Sequence, residues 1–461
     1  MKFNPIVTAI VVVYLLVMLL IGWYSSKKIT SNTDFMVAGR RLGPLLMAGT
    51  LAATEIGGGS SLGVVQQGMQ SHGISSAWYI ITMGFAFVIL TFLAPKFRAA
   101  TVKTVPEYFR RRYGKSAGII TAIIMLLPLI GLTAGQFIAS SVILSTMLGI
   151  SYKLAVVIVA VVVTAYSIMG GLWSVTLTDF IQVFLIVIGM IIAVPFALNQ
   201  AGGWGNVVAN VPPETFDMFK GYDPLAVISL TVMYVATFTV GQEAVSRYYA
   251  ARDGKAARQG SILAAIVNFI YAFIPAVLGI ITLALMNMGR FSADDFASVG
   301  ARYALPILAM EVMPAVICGF LFAGIISATM SSSDSDLLGA GSIFANDIYH
   351  AVLKPDATSD QVMRMTQGVM ALVGVAAMFI AVYALSFLLC MVDILMFCFT
   401  LRAAGAFFPY VLGHYWKGSS LGGTIASLIS GSIVVVYMEK FSGGYLFGMK
   451  ISQPIIPGLV A

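Results

Sequence analysis

Charge is scarce in this chain: Asp, Glu, Lys and Arg make up only 10% of 461 residues. Ordinary soluble domains carry about a quarter. A soluble fold cannot wet its surface with so little charge, so soluble enzymes and nucleic-acid binders are excluded. Histidine is almost absent. His72, His350 and His414 all sit at the ends of apolar runs or in loops, and H-E-x-x-H does not occur, which argues against an intramembrane enzyme. The three cysteines, Cys318, Cys390 and Cys398, lie in apolar stretches without zinc or haem spacing, and read as core packing. No asparagine heads an N-x-[ST] sequon, which fits a bacterial inner-membrane protein.

Apolar length is what the chain has in abundance. It is 59% hydrophobic, with a mean hydropathy of +0.95. A spanning helix needs about 20 apolar residues. Twelve segments qualify, near 6–24, 44–70, 75–95, 117–148, 153–170, 173–198, 224–249, 261–287, 303–335, 366–386, 388–412 and 420–438. The first is too long for a signal-peptide core and reads as a true span. The fold class expected is an all-α polytopic membrane protein. Segment 441–461 reads as the start of a further apolar span in a truncated tail.

The formal net charge of +7 reflects orientation rather than a nucleic-acid partner. Alternate loops divide the 26 basic residues eighteen to seven, with Arg402 inside a span; the richer side includes Lys27, Arg110, Arg111, Arg112 and Arg247. Positive loops face the cytoplasm, which places the N-terminus outside. Segment 96–116 is then a cytoplasmic loop or surface helix, and the acidic loop 199–223, with Glu214, Asp217 and Asp223, is periplasmic.

Two spans carry interruptions. The second contains Gly57-Gly58-Gly59, and each glycine costs a helix about 1 kcal/mol against alanine. Three together predict unwinding, and carbonyls freed at membrane depth are tolerated where they line a cavity. The seventh carries Gly241 beside Gln242 and Glu243. Each interrupted span opens a block of five, 44–198 and 224–412, flanked by an N-terminal span and loop (1–43), the loop 199–223 and a C-terminal segment (413–461). Breaks at matching places in two halves point to a transporter's central site. Glycines that merely admit close helix packing are the competing reading.

Ionisable groups in the bilayer cost roughly 2.5–3.5 kcal/mol each and are functional candidates by default. Here they are Glu55, Asp179, Glu243, Asp334, Asp336, Asp393 and Arg402. Six acids against one base suit a cation. The run Ala328-Thr-Met-Ser331-Ser332-Ser333-Asp334-Ser335-Asp336 adds hydroxyl oxygen, which a small hard cation prefers. Ser331 and Ser332, one turn from the Ala328 carbonyl, can aim at carbonyls around Ala53 and Ile56. Serines can equally bond back to their own helix.

The serine run, the glycine-rich second span, GGLWSVTLTDFIQ (170–182) and HYWKGSS (414–420) together resemble the sodium:solute symporter family over nearly the whole chain. T-x-x-GGG and MSS-x-DS look nearest to its choline-type branch. The resemblance implies a LeuT-like five-plus-five inverted repeat behind one extra N-terminal helix. It implies a sodium site of the Ala53, Ile56 and Ala328 carbonyls with the Ser331 and Ser332 hydroxyls, and a second at Asp179, Ser331, Asp334 and Ser335. Sialic-acid-transporting members have serine where Asp334 stands. The solute site implied comprises Glu55, Gly57, Ser60, Tyr79, Phe85, Gln136, Gly241, Gln242 and Glu243. Choline-type members carry aromatics at positions 55 and 241, forming a cation–π cage. An acid and a glycine replace them here, and a carboxylate pairs better with a hydrogen-bonding amine. Proline-type members also carry an acid at position 55.

The function expected is sodium-coupled import of a small polar solute, best a cationic or zwitterionic amine or amino acid, by a monomeric transport unit in the lipid bilayer. A symporter for a small carboxylate, a transporter-like sensory module of a signalling protein, and a channel are the alternatives.

Overall fold

The structure is a computed structural model that describes residues 4–27, 29, 31–291, 300–384, 391–442, 445–446, 449–450 and 454–461. Cys390 lies outside these residues, as does the side chain of Asp393.

The apolar runs form helices: α1 (Pro5–Ser26), α2 (Pro44–Glu55), α3 (Val64–Gln70), α4 (Trp78–Ala99), α5 (Val105–Tyr113), α6 (Lys115–Leu148), α7 (Tyr152–Gln200), α8 (Pro224–Val240) and α9 (Gln242–Ala250). There follow α10 (Gly254–Tyr271), α11 (Phe273–Asn287), α12 (Ala304–Val312), α13 (Ala315–Ile343), α14 (Ser359–Ala384), α15 (Met391–Ala404), α16 (Phe407–Tyr415), α17 (Leu421–Lys440) and α18 (Ile455–Val460). Among the described residues, 8 helices are long and apolar enough to cross a membrane, or up to 10 if the bent pairs α8–α9 and α15–α16 each count as one. Two of the twelve expected segments fall below that length. Segment 44–70 is broken into α2 and α3, and the apolar helix Tyr152–Ala165 is short.

Two boundaries differ from expectation, each for a local reason, and a third segment resolves into a helix. Segments 153–170 and 173–198 run on as the single helix α7, kinked at Gly171 with φ 51°. A Cβ there would lie 2.8 Å from the Phe35 carbonyl oxygen, so only glycine fits both the backbone angle and the space. Segment 303–335 is two helices, because Pro314 caps α13 and ends the path from α12. Segment 96–116 contains α5, where Thr104 Oγ1 accepts the Glu107 N–H at 3.2 Å as a helix N-cap.

Burial ranks the helices from centre to rim. The most apolar window of the span Ala315–Leu353, built on α13, is 78% buried, against 22% for α1 and 28% for α17. The serine-rich α13 is therefore central, packed on α6 and α7, while α1 and α17 are peripheral. Small residues allow this because they let helix backbones approach closely without lipid between them.

Candidate solute and cation site

The first break gathers the centre. α2 ends at Glu55, Ile56 leaves helical geometry (φ −80°, ψ 69°), and a wide π-type turn at Gly59–Gly63 leads into α3. A helix end leaves its last carbonyls without intrahelical donors. The Thr54 carbonyl accepts the Ser332 hydroxyl at 2.7 Å, and the Glu55 carbonyl accepts the Ser60 hydroxyl at 3.0 Å. Ser332 also donates to Ala328 O at 3.1 Å, so one hydroxyl ties α13 to the break. Gln136 of α6 accepts the Gly58 N–H at 2.9 Å. A Cβ on Gly57 would sit 2.7 Å from Ser332 Oγ, and one on Gly59 would sit 2.8 Å from the Tyr79 hydroxyl. Five of the sequence candidates (Gly57, Ser60, Gln136, Ser332 and Tyr79) thus converge on this turn. Tyr79 is buried and meets Tyr234 edge-on at 5.7 Å between centroids.

Glu55 sits beside them, 8% exposed, and its Oε1 is buried with no hydrogen-bond partner among the described residues. An unpaired buried acid is expensive unless a ligand or proton compensates it. Asp336 shares a face of α13 with Ala328 and Ser332, at spacings of four and eight, and is also buried.

Three residues expected at the solute site are engaged elsewhere. Phe85 is 43% exposed on the outer face of α4, edge-on to Phe269, because its helical phase points away from the break. Gln242 accepts the Val105 N–H and donates to Lys103 O, both at 3.0 Å, and so staples α9 to the start of α5. Glu243 forms a two-pronged ion pair with Arg402 of α15, with one contact at 2.6 Å from Nη1, while Arg402 Nε donates to Thr237 Oγ1 at 2.6 Å. A two-pronged guanidinium–carboxylate pair is the strong form of this contact. It accounts for Gly241 as well. α8 and α9 bend by 55° at this residue, and a Cβ on it would lie 2.8 Å from Arg402 Nη2. The aromatic of the choline-type pattern has no room beside this ion pair. Gly241→Ala is therefore expected to overpack the break by about 1–3 kcal/mol; an unchanged thermal midpoint of the purified protein would contradict it.

The second group of cation candidates separates in space. The Asp334 Oδ1 accepts the Ser167 hydroxyl of α7. Asp179 accepts hydroxyls from Thr50 and Ser331 and pairs with Arg247 Nη2 at 3.3 Å. Ser331 therefore belongs to Asp179 in this structure, and Ser332 alone of the two reaches the break. Arg247, counted above among loop residues, is fully buried. All nine residues of its run QEAVSRYYA are buried, and its four-residue spacing from Glu243 was the signal that could have shown it facing inward. Thr50 carried no sequence signal. Among the described cysteines, Cys318 and Cys398 are buried and free.

The architecture and the broken helices define a LeuT-like membrane transporter. The profile of the sodium:solute symporter family matches residues 35–431, and this chain belongs to that family, whose members are transporters and not enzymes. It is 27% identical to the osmoregulated proline transporter OpuE of Bacillus subtilis over 97% of this chain and 91% of that protein. It is equally 27% identical to the high-affinity proline transporter PutP of Bacillus subtilis, over 96% and 93%. A solved Na+-coupled sialic acid symporter in a substrate-bound outward-open state superposes with a TM-score of 0.84 at 21% identity, covering 100% of this chain and 97% of that one. A nucleobase-cation-symport-1 family transporter shares the fold more distantly, with a TM-score of 0.58 at 14% identity.

Proposed function

We propose that this symporter couples sodium entry to uptake of a zwitterionic solute of the amino-acid type, with proline the first compound to test. The observation that carries the reading is Glu55, an acid with an unpartnered buried oxygen at the unwound turn. An ammonium or secondary amine supplies both the charge and the N–H donors such an oxygen lacks. The proline-transporting relatives support the same class. Sodium fits the oxygen-rich junction of α2 and α13, held by the Ala53, Ile56 and Ala328 carbonyls and the Ser332 hydroxyl. Such a site suits a hard cation, since carbonyl and hydroxyl dipoles add little net charge.

One sodium moving down a 100 mV potential contributes about 2.3 kcal/mol before its concentration term. Since about 1.4 kcal/mol is tenfold, that concentrates a neutral solute roughly fifty-fold. Rocking of one helix set against the other would expose the site to each side in turn. The excess of basic loops supports an N-terminus outside, in a bacterial plasma membrane.

The test is the thermal midpoint of purified protein with amines, amino acids and short carboxylates, with and without sodium. A ligand at a hundred times its dissociation constant stabilises by about 2.7 kcal/mol. Proline stabilising only with sodium is the expected result; stabilisation by simple anions alone would overturn the reading. Ser332→Ala removes one sodium oxygen while the backbone ligands stay, so the half-saturating sodium concentration for uptake should rise several-fold. An unchanged value removes Ser332 from the site.

A further inference from the structure

The oxygens that a second sodium would need are already taken, by a cation that belongs to the protein. Arg247 is fully buried. Its Nη2 donates to Asp179 Oδ2 at 3.3 Å and to Ser335 Oγ at 2.5 Å, and its Nε donates to Thr50 Oγ1 at 3.2 Å. Its Nη1 is held by the Glu243 carbonyl and by Ser246 Oγ at 3.4 Å. Every nitrogen of the guanidinium is therefore used. Both Asp179 oxygens are used too: Oδ1 takes the Ser331 hydroxyl, and Oδ2 takes Thr50 and Arg247. Asp334 Oδ1 takes the Ser167 hydroxyl of α7.

Charge points the same way as geometry. Asp179 and Arg247 cancel within the pair, so the pair itself presents no uncompensated carboxylate to a sodium ion. The four side chains hydrogen-bonded to the pair, Thr50, Ser331, Ser335 and Ser246, are neutral hydroxyls. A resident arginine also differs from sodium in kind: it is tethered to α9, always charged, and cannot leave the protein during a transport cycle.

We infer that Arg247 is a built-in counter-cation that takes the place of a second sodium at Asp179, so that the protein binds one sodium ion, at the junction of α2 and α13. This rests on the reading as a sodium symporter. It leaves Asp179 the task of docking α7 to α9 and α13 rather than of carrying an ion.

The experiment is equilibrium binding of radioactive sodium to the purified protein, counted per chain. Wild type is expected to bind one ion with a Hill coefficient near one. Arg247→Gln exposes an uncompensated Asp179 among hydroxyls and should gain a second ion. Asp179→Asn/Arg247→Gln removes both charges and should return to one. Two ions bound by wild type would overturn the inference whatever the variants do, since the arginine must then yield its place. A folded Arg247→Gln protein that still binds one ion would also overturn it. If wild type binds no sodium at all, the symport reading itself fails, and this inference with it.

Discussion

Glu55→Gln is expected to weaken binding of proline, or of whichever amine proves to be the solute, by at least tenfold at saturating sodium. That is about 1.4 kcal/mol. The substitution keeps the length and hydrogen-bonding capacity of the side chain and removes only its charge. The wild-type carboxylate stands at the end of α2 with Oε1 buried and without a hydrogen-bond partner among the described residues, so a substrate amine meets an oxygen that no protein donor occupies. Arg402 and Arg247, the two buried arginines nearest in the fold, are committed to Glu243 and Asp179. The measurement is solute affinity by thermal shift or radioligand binding across a sodium series. A variant that shifts sodium or pH dependence but keeps solute affinity at saturating sodium would assign Glu55 to ion coupling instead.

The largest effect on stability is expected at the Glu243–Arg402 pair. Each side chain is nearly inaccessible, at 4% and 1% exposure. Removing one partner of a buried pair strands the other charge, which typically costs about 3–5 kcal/mol. Glu243→Gln alone and Arg402→Met alone should each lower the thermal midpoint sharply. The double variant should recover most of the loss, because two neutral side chains leave no stranded charge. The pair joins both halves of a broken helix, through Thr237 on α8 and Glu243 on α9, to α15. Its loss is therefore also expected to lower the transport rate. Single variants as stable as wild type would show that water reaches the pair and that it does not clamp the break.

Much of this molecule was legible as a string. A scarcity of charge and an abundance of apolar runs leave a helical membrane protein as the stable outcome, because every backbone polar group in lipid must be paired within the chain. Three adjacent glycines in one span and a lone Gly241 in another marked the two breaks, since helix propensity is a local property. The serine run and the motif around Asp179 carried the family. Gly57 and Ser60 belong to the glycine-rich break itself, whereas Tyr79 and Gln136 were offered only by the family resemblance, and packing brings both against that turn.

What the sequence could not determine was which charge meets which. Arg247 read as a loop residue because it follows an apolar run, and Glu243 read as a solute ligand because it adjoins a break. Only packing brings Arg247 to Asp179, 68 positions away in sequence, and Arg402 to Glu243, 159 positions away. The same holds for Phe85, whose helical phase turns it outward, and for Ser331 and Ser332, neighbours in sequence that serve different partners. Spans and breaks follow from composition within a few turns of helix, where one residue's preferences suffice. Pairing of buried charges is a long-range property: it depends on the rotation and crossing of helices packed against one another, and so the tertiary structure alone decided which acids meet an arginine.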